Sequence, residues 1–280
     1  MLTIQTNVAA LYGEQNLGIN HMFQQTTIQR LTSGYRINSS ADDAAGLAIA
    51  NGLRSQRAEL TQGIQNANNA VSQLQIADGG LSNISQILDR LKTLAVQGAS
   101  STFTGDRATL ATEMNNDIAE ITRQASNIGL DSAAGANQFM TTLSVYIGGG
   151  VGNNGAQIGA ATESIDLSAT SVDATGLGLN GLTLTNATDF QNAISSIASA
   201  VGSLGGVQGV VGAGINQLNF AVGLAQSQVT NYAADESGIR DADMATEAAN
   251  LSKSQVLVQS SIAAMAQANQ IPQAVLKLLQ

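Results

Sequence analysis

Apolar side chains recur along much of this chain at alternating steps of three and four residues, the spacing of a helical seam that meets another helix. From Leu60 the series runs Ile64, Ala67, Val71 and Leu74, and it resumes in register at Leu81, Ile84, Leu88, Leu91 and Ala95. After a Gly-containing connection around Thr104 and Gly105, a second helix is predicted through Leu110, Met114, Ile118, Ile121, Ala125 and Ile128. Two long helices joined by a short turn lie antiparallel. A third runs through Phe190, Ile194, Ile197, Val201 and Leu204, then Val211, Ile215, Leu218, Val222, Ala225, Val229 and Tyr232. It carries Gly202, Gly205, Gly206, Gly209, Gly212 and Gly214. Each costs a helix roughly 0.5–1 kcal/mol relative to Ala, so this segment needs partners along its length.

Both ends of the chain read as helix. The C-terminal series Leu251, Gln255, Val258, Ile262, Met265, Asn269, Pro272, Leu276 and Leu279 alternates steps of four and three. At the N-terminal end the best stripe is Val8, Tyr12, Ile19 and Phe23. Terminal helices fray unless docked, so the two ends are expected to pair, and the seam that a two-helix rod leaves open points to self-association. Between the helical halves, residues 140–188 switch to alternation: Leu143, Val145 and Ile147, then Ile165 and Leu167, then Leu177, Leu179, Leu182 and Leu184. A small region of β-hairpins is expected there. The fold class is therefore mainly α, with long antiparallel helices in coiled-coil packing and a small central β-hairpin region.

Composition narrows the function. Aromatics make up 3% of the 280 residues and Trp is absent, so burial rests on Ala, Leu, Ile and Val spread over long contacts. Charged residues are 11%, against about 25% in an ordinary soluble domain, which leaves a surface suited to being covered. A net charge of -9 with 11 Lys and Arg opposes nucleic-acid binding. There is no cysteine and one histidine, His21, so no thiol or multi-His metal centre is expected. The opening MLTIQTNVAA lacks a basic segment followed by an apolar run, and no membrane span is expected.

Sharper motifs fare poorly. Gly150-Val151-Gly152-Asn153-Asn154-Gly155 fits the dinucleotide pattern, but no helix is predicted to begin there, and the pattern recurs at Gly176, Gly178 and Gly181 before another expected strand. The acid pairs Asp42 and Asp43, Asp235 and Glu236, and Asp241 and Asp243 sit at expected helix boundaries, where carboxylates cap amides. Catalytic, cofactor-binding and metal-binding residues are therefore none, and no cofactor is expected.

Gln29 to Ala50 reads QRLTSGYRINSSADDAAGLAIA, in which Ser33-Gly34 marks a break and Ser40-Ala41-Asp42-Asp43 offers a capping box. This segment resembles the signature of bacterial flagellins. The runs Asp241 to Glu247 and Ala266 to Gln280 resemble the other end of the same family. After Asn137-Gln138-Phe139 the familiar Asn-Gly gives way to Met140-Thr141. The resemblance implies a minimal member without outer domains: an inner domain of residues 1–44 and 240–280, and a second domain of long helices at 45–139 and 189–239 with its hairpin region at 140–188.

It further implies a non-catalytic structural subunit that self-assembles into the flagellar filament for swimming motility. Terminal-helix residues Val8, Tyr12, Ile19, Phe23, Leu251, Val258, Ile262, Met265, Leu276 and Leu279 would form the polymer interface. The implied partners are further copies of the chain, an export chaperone on the C-terminal helix, and hook–filament junction and cap proteins. A junction protein sharing the terminal helices is the alternative. The implied location is the extracellular flagellum, reached through the flagellar (type III) export channel without a cleaved signal peptide. Two surfaces are implied as contacts for host innate immune receptors: the Gln29–Ala50 segment with Asp42 and Asp43, and Arg90, Leu94 and Glu113.

Overall fold

A computed structural model describes residues 7–132, 142–148, 162–167 and 170–278, with the side chains of 271–278 outside that description. Among the described residues, five helices and one two-stranded sheet follow in order: α1 (Val8–Ser33), α2 (Ala44–Ala99), α3 (Arg107–Asn127), β1 (Thr142–Tyr146), β2 (Thr162–Asp166), α4 (Ala187–Arg240) and α5 (Met244–Leu278). They divide into two compact units, residues 1–55 with 231–280 and residues 56–230.

The larger unit has a conventional apolar core. Along α2 the covered positions Leu60, Gly63, Ala67, Ala70, Leu74, Ala77, Leu81, Ile84, Leu88, Leu91, Ala95 and Gly98 make an unbroken heptad seam, with Val71 buried beside Ala70 and Ile64 only half-buried beside Gly63. Ala77 bridges the interval that the large residues leave between Leu74 and Leu81. The antiparallel course of α2 and α3 is fixed at three levels. The Arg107 guanidinium donates to the carbonyls of Gly98 (3.0 Å) and Ser100 (2.9 Å), Arg90 meets Glu113, and Gly80 lies against Ile128. On α3 the residues Leu110, Met114, Ile121 and Ala125 are buried, as their spacing predicts. Asp106 caps this helix by accepting from the Ala108 amide at 2.9 Å.

On α4 the covered face is Phe190, Ala193, Ile197, Ala200, Leu204, Val207, Val211, Gly214, Leu218, Val222 and Ala225. Ala193, Ala200 and Gly214 take seam positions for which the larger Ile194, Val201 and Ile215 are the sequence-based expectation. Small side chains at alternate seam positions admit close neighbours: a Cβ built on Gly98 would lie 2.5 Å from the Phe190 ring, and one on Gly214 would lie 2.9 Å from Ile165.

β1 and β2 pair antiparallel, Leu143 opposite Ile165 and Val145 opposite Glu163. Val145, Ile147, Ile165 and Leu167 are buried. The expected continuation of strand through Leu177–Leu184 does not form. Leu177, Leu179 and Leu184 are buried, but outside any strand: the Leu177 amide donates to the Asp173 carbonyl (2.9 Å) and the Leu179 amide to the Ala174 carbonyl (2.8 Å) in turns. Gly178 and Gly181, at φ 66° and 80°, interrupt any extended run. The expected hairpin entry at Met140-Thr141 and the glycine pattern at Gly150–Gly155 lie outside the described residues.

Candidate assembly surfaces

In the smaller unit α1 and α5 form an antiparallel helix pair whose seam mixes polar and apolar side chains. On α1 the least exposed positions are Asn7, Ala10, Gly13, Leu17, Asn20, Gln24 and Thr27; on α5 they are Glu247, Leu251, Ser254, Val258, Ser261, Met265 and Ala268. The Asn7 amide donates to the Ala268 carbonyl at 2.9 Å, the Asn20 amide to Ser261 Oγ at 2.9 Å, and Met265 packs against Gly13. Small and polar residues let the helices approach closely and hydrogen-bond, and they hide little apolar area.

Many large apolar residues face the other way. Val8, Leu11, Tyr12, Ile19, Met22 and Phe23 are exposed on α1, Tyr12 at 63%, and Val256, Leu257 and Ile262 are exposed on α5. Val8, Leu11, Tyr12, Glu14 and Gln15 line an open groove of about 480 Å³. Among the terminal positions singled out in the sequence, Leu251, Val258 and Met265 therefore lie on the seam, whereas Val8, Tyr12, Ile19, Phe23 and Ile262 face outward. Gln255 is exposed, and Asn269, though exposed, accepts from the Asn7 side-chain amide at 3.4 Å. The side chain of Leu276, and all of Leu279, lie outside the described residues.

A clip closes one end of this pair. Gly34 ends α1 at φ 75°, its carbonyl accepts from the Ala242 amide at 2.9 Å, and the Arg36 amide donates to the Arg240 carbonyl at 2.7 Å. Arg240 lies 4.1 Å from the Tyr35 ring centroid, and Arg30 reaches Glu247 at 3.3 Å. None of these contacts is signalled by hydrophobic period. The Ser33-Gly34 break is the one legible trace.

Acidic residues here work on helix ends. Asp43, not Ser40, caps α2: its Oδ1 accepts from the Gly46 amide at 2.9 Å. Asp42 accepts from the Ser39 amide (2.8 Å), the Ser39 hydroxyl (3.0 Å) and the Asn38 amide (3.1 Å), and the Ser39 bonds hold its carboxyl below the usual range. Asp243 caps α5 through the Thr246 hydroxyl (2.8 Å) and the amides of Ala245 and Thr246, led by that hydroxyl in lowering its pKa. Asp235 and Glu236, expected at a boundary, lie inside α4, which continues to Arg240. Among the described residues no group of three or more His, Cys, Asp or Glu converges to hold a metal.

On the larger unit, Arg90 bonds Glu113, and its Nε lies 3.2 Å from Asp117 Oδ2 as an ion pair without hydrogen-bond alignment. Desolvation raises the Asp117 carboxyl, and Arg90 partly offsets it. Leu94 is half-buried beside this exposed pair.

The flagellin N-terminal helical region matches residues 4–140 and the flagellin C-terminal helical region matches residues 190–279. The flagellin of Halalkalibacterium halodurans is 34% identical over 99% of this chain and 100% of its own length. A flagellar filament 30.7 kDa core protein of Treponema maltophilum is likewise 34% identical over 99% and 100%. The flagellin of Bacillus subtilis is 32% identical over 99% and 100%. Long helices that carry large apolar residues outward suit a polymer subunit, and with these matches the chain belongs to the bacterial flagellins, non-enzymatic structural subunits that self-assemble into the extracellular flagellar filament of motile cells.

Proposed function

We propose that the helix pair α1–α5 is the inner, tube-forming part of the filament and that Val8, Tyr12, Ile19, Phe23 and Ile262 meet neighbouring copies, while Leu251, Val258 and Met265 hold α5 to α1. The observation that carries this reading is the large apolar residues left outside the helix pair, Tyr12 and Ile262 among them, over a seam that mixes polar side chains with Leu17, Leu251, Val258 and Met265. Burial by neighbours contributes about 25 cal/mol per Å² and must exceed an ordering cost of about 1–2 kcal/mol per residue. By heptad spacing Leu276 falls in line with the outward Ile262, and Leu279 with Leu251, Val258 and Met265. Deleting Leu251 to Gln280 leaves a soluble monomer that forms no filaments under the electron microscope; normal filaments from that truncation would refute the proposal.

The finer partners follow from the same exposed face. An export chaperone covers the C-terminal helix from about Asp241 before secretion, supported by the exposed Val256, Leu257 and Ile262. Junction and cap proteins meet the two ends of the polymer, and export leaves no cleaved leader, which mass spectrometry of secreted protein checks at the N-terminus. Arg90, Leu94 and Glu113 form a compact contact for an animal flagellin receptor, supported by the accessible Arg90–Glu113 pair. In the Gln29–Ala50 segment Asp42 and Asp43 hold a turn and a cap, so a plant receptor reading it as a peptide meets it opened. Arg90→Ala and Glu113→Ala in receptor-reporter cells test the first contact.

A further inference from the structure

Two Asn-Gly dipeptides lie among the described residues, and the fold holds them in opposite ways. Asn51-Gly52 sits inside α2, and Asn180-Gly181 sits in a turn between β2 and α4. Both are exposed, and a Cβ built on either glycine would meet nothing within 4 Å. Access from solvent therefore does not separate them, but the backbone does. The Gly52 amide belongs to the hydrogen-bond ladder of a helix that runs from Ala44 to Ala99, which fixes both that amide and the dihedral angles of Asn51. Gly181 has φ 80°, and neither its amide nor the Asn180 side chain has a hydrogen-bond partner among the described residues. The residues on either side are anchored. Leu179 and Leu184 are buried, and the Leu179 amide donates to the Ala174 carbonyl at 2.8 Å.

A turn with positive φ asks for glycine at position 181, and the same missing side chain leaves the Gly181 nitrogen uncovered beside the Asn180 carboxamide. We propose that Asn180 is a site of spontaneous deamidation, a built-in ageing position of the folded chain whose co-reactant is water. A hydroxide ion takes the Gly181 amide proton, and the nitrogen bonds to Asn180 Cγ. The Cγ–Nδ2 bond breaks, and ammonia leaves with a proton from water as a five-membered succinimide closes. Water then opens the ring. Breaking the new Cγ–N bond gives aspartate, whereas breaking the original peptide C–N bond gives isoaspartate, in which the main chain runs through the former side chain. One carboxamide and one water become one carboxylate and one ammonium ion, with nothing oxidised or reduced. Both reacting groups are already neighbours in one chain, so the reaction needs no encounter. The same attack at Asn51 first requires the α2 backbone to open there. The product places a negative charge in residues 174–188, which carry none, and isoaspartate lengthens the backbone between the buried Leu179 and Leu184. This assignment is independent of the filament reading.

The test incubates the full-length folded monomer in mildly alkaline buffer made with heavy-oxygen water, then cuts the chain before aspartates. The fragment spanning residues 173–188 holds Asn180 without the Asn154-Gly155 dipeptide, so mass spectrometry reads the site directly. Aspartate at this position creates a new cut and isoaspartate does not, which separates the two products. Product carrying one heavy oxygen is expected at position 180 about tenfold or more faster than at position 51. In guanidinium chloride, where α2 is lost, position 51 should react at a comparable rate. Asn180→Gln should abolish the signal, because the longer side chain must close a larger ring, and should leave the circular dichroism unchanged. Hydrogen exchange of the Leu179 amide that quickens as isoaspartate accumulates supports the expected loosening of the turn. Asn180 that stays intact in the folded chain, Asn51 that reacts as fast as Asn180 there, or a gap between them that persists undiminished in guanidinium chloride overturns the proposal.

Discussion

The two units use the same helical period to opposite ends. In the larger one, heptad positions carry Leu, Ile, Ala and Phe and are sealed from solvent: Leu74, Leu81, Ile84, Leu88 and Leu91 are each 0% exposed. In the helix pair, Asn, Gly, Ser and Thr share the equivalent positions with Leu17, Leu251, Val258 and Met265, and many large apolar side chains lie outside. The first arrangement stabilises a chain on its own. The second hides less apolar area within the single chain and leaves large apolar side chains open.

The widest gap between the units should appear on truncating seam leucines. Leu81→Ala is expected to cost about 2–5 kcal/mol in denaturant unfolding, since it opens a cavity in a sealed core. Leu17→Ala, on the half-covered α1 seam, costs about 1 kcal/mol or less. Similar values for both would erase the contrast.

The complementary test removes outward residues. Tyr12→Ser with Phe23→Ser should leave monomer unfolding within about 0.5 kcal/mol of wild type. The same variant should raise the critical concentration of polymerisation by about tenfold or more, equivalent to about 1.4 kcal/mol. A fall in monomer stability in place of the assembly defect would mean that these residues serve the single chain.

The clip offers a smaller effect within one unit. Glu247, whose side chain is 9% exposed, pairs with Arg30 at 3.3 Å. Glu247→Gln keeps the shape but loses the charge, at about 1–2 kcal/mol. Hydrogen exchange should then quicken in α1 and α5 and stay unchanged in α3.

The smallest effect is in pH. The folded-state pKa of Asp243 is lowered, so its contribution is present above the unfolded value of about 3.9 and is lost as pH falls through the folded one. In acid titration followed by circular dichroism, Asp243→Ala should lose the part of the helical signal change that begins below about pH 4. An unchanged titration would show that this cap contributes nothing to acid stability.

Much of the architecture was legible in the chain. The helices α2, α3 and α4 follow from period alone, the pairing of the termini from the need to dock two frayed ends, and β1 with β2 from alternation at Leu143, Val145 and Ile165. The end motifs pointed to the family. Less legible was the candidate surface. Period told which residues share a broad helical face, and adjacent positions such as Ile194 and Ala193, or Ile262 and Ser261, lie only about 100° apart on it.

Tertiary structure alone chose between them. How closely two backbones approach decides whether a Gly, Ala or Ser enters the seam while its larger neighbour turns to solvent, and no single helix carries that distance in its own sequence. The same holds at Leu177–Leu184, where alternation predicts a strand but no partner strand is present among the described residues and turns satisfy the Leu177, Gly178 and Leu179 amides instead. Sequence by itself determined the period, the helical class and the family. Tertiary packing determined the phase, and with it which apolar residues remain exposed.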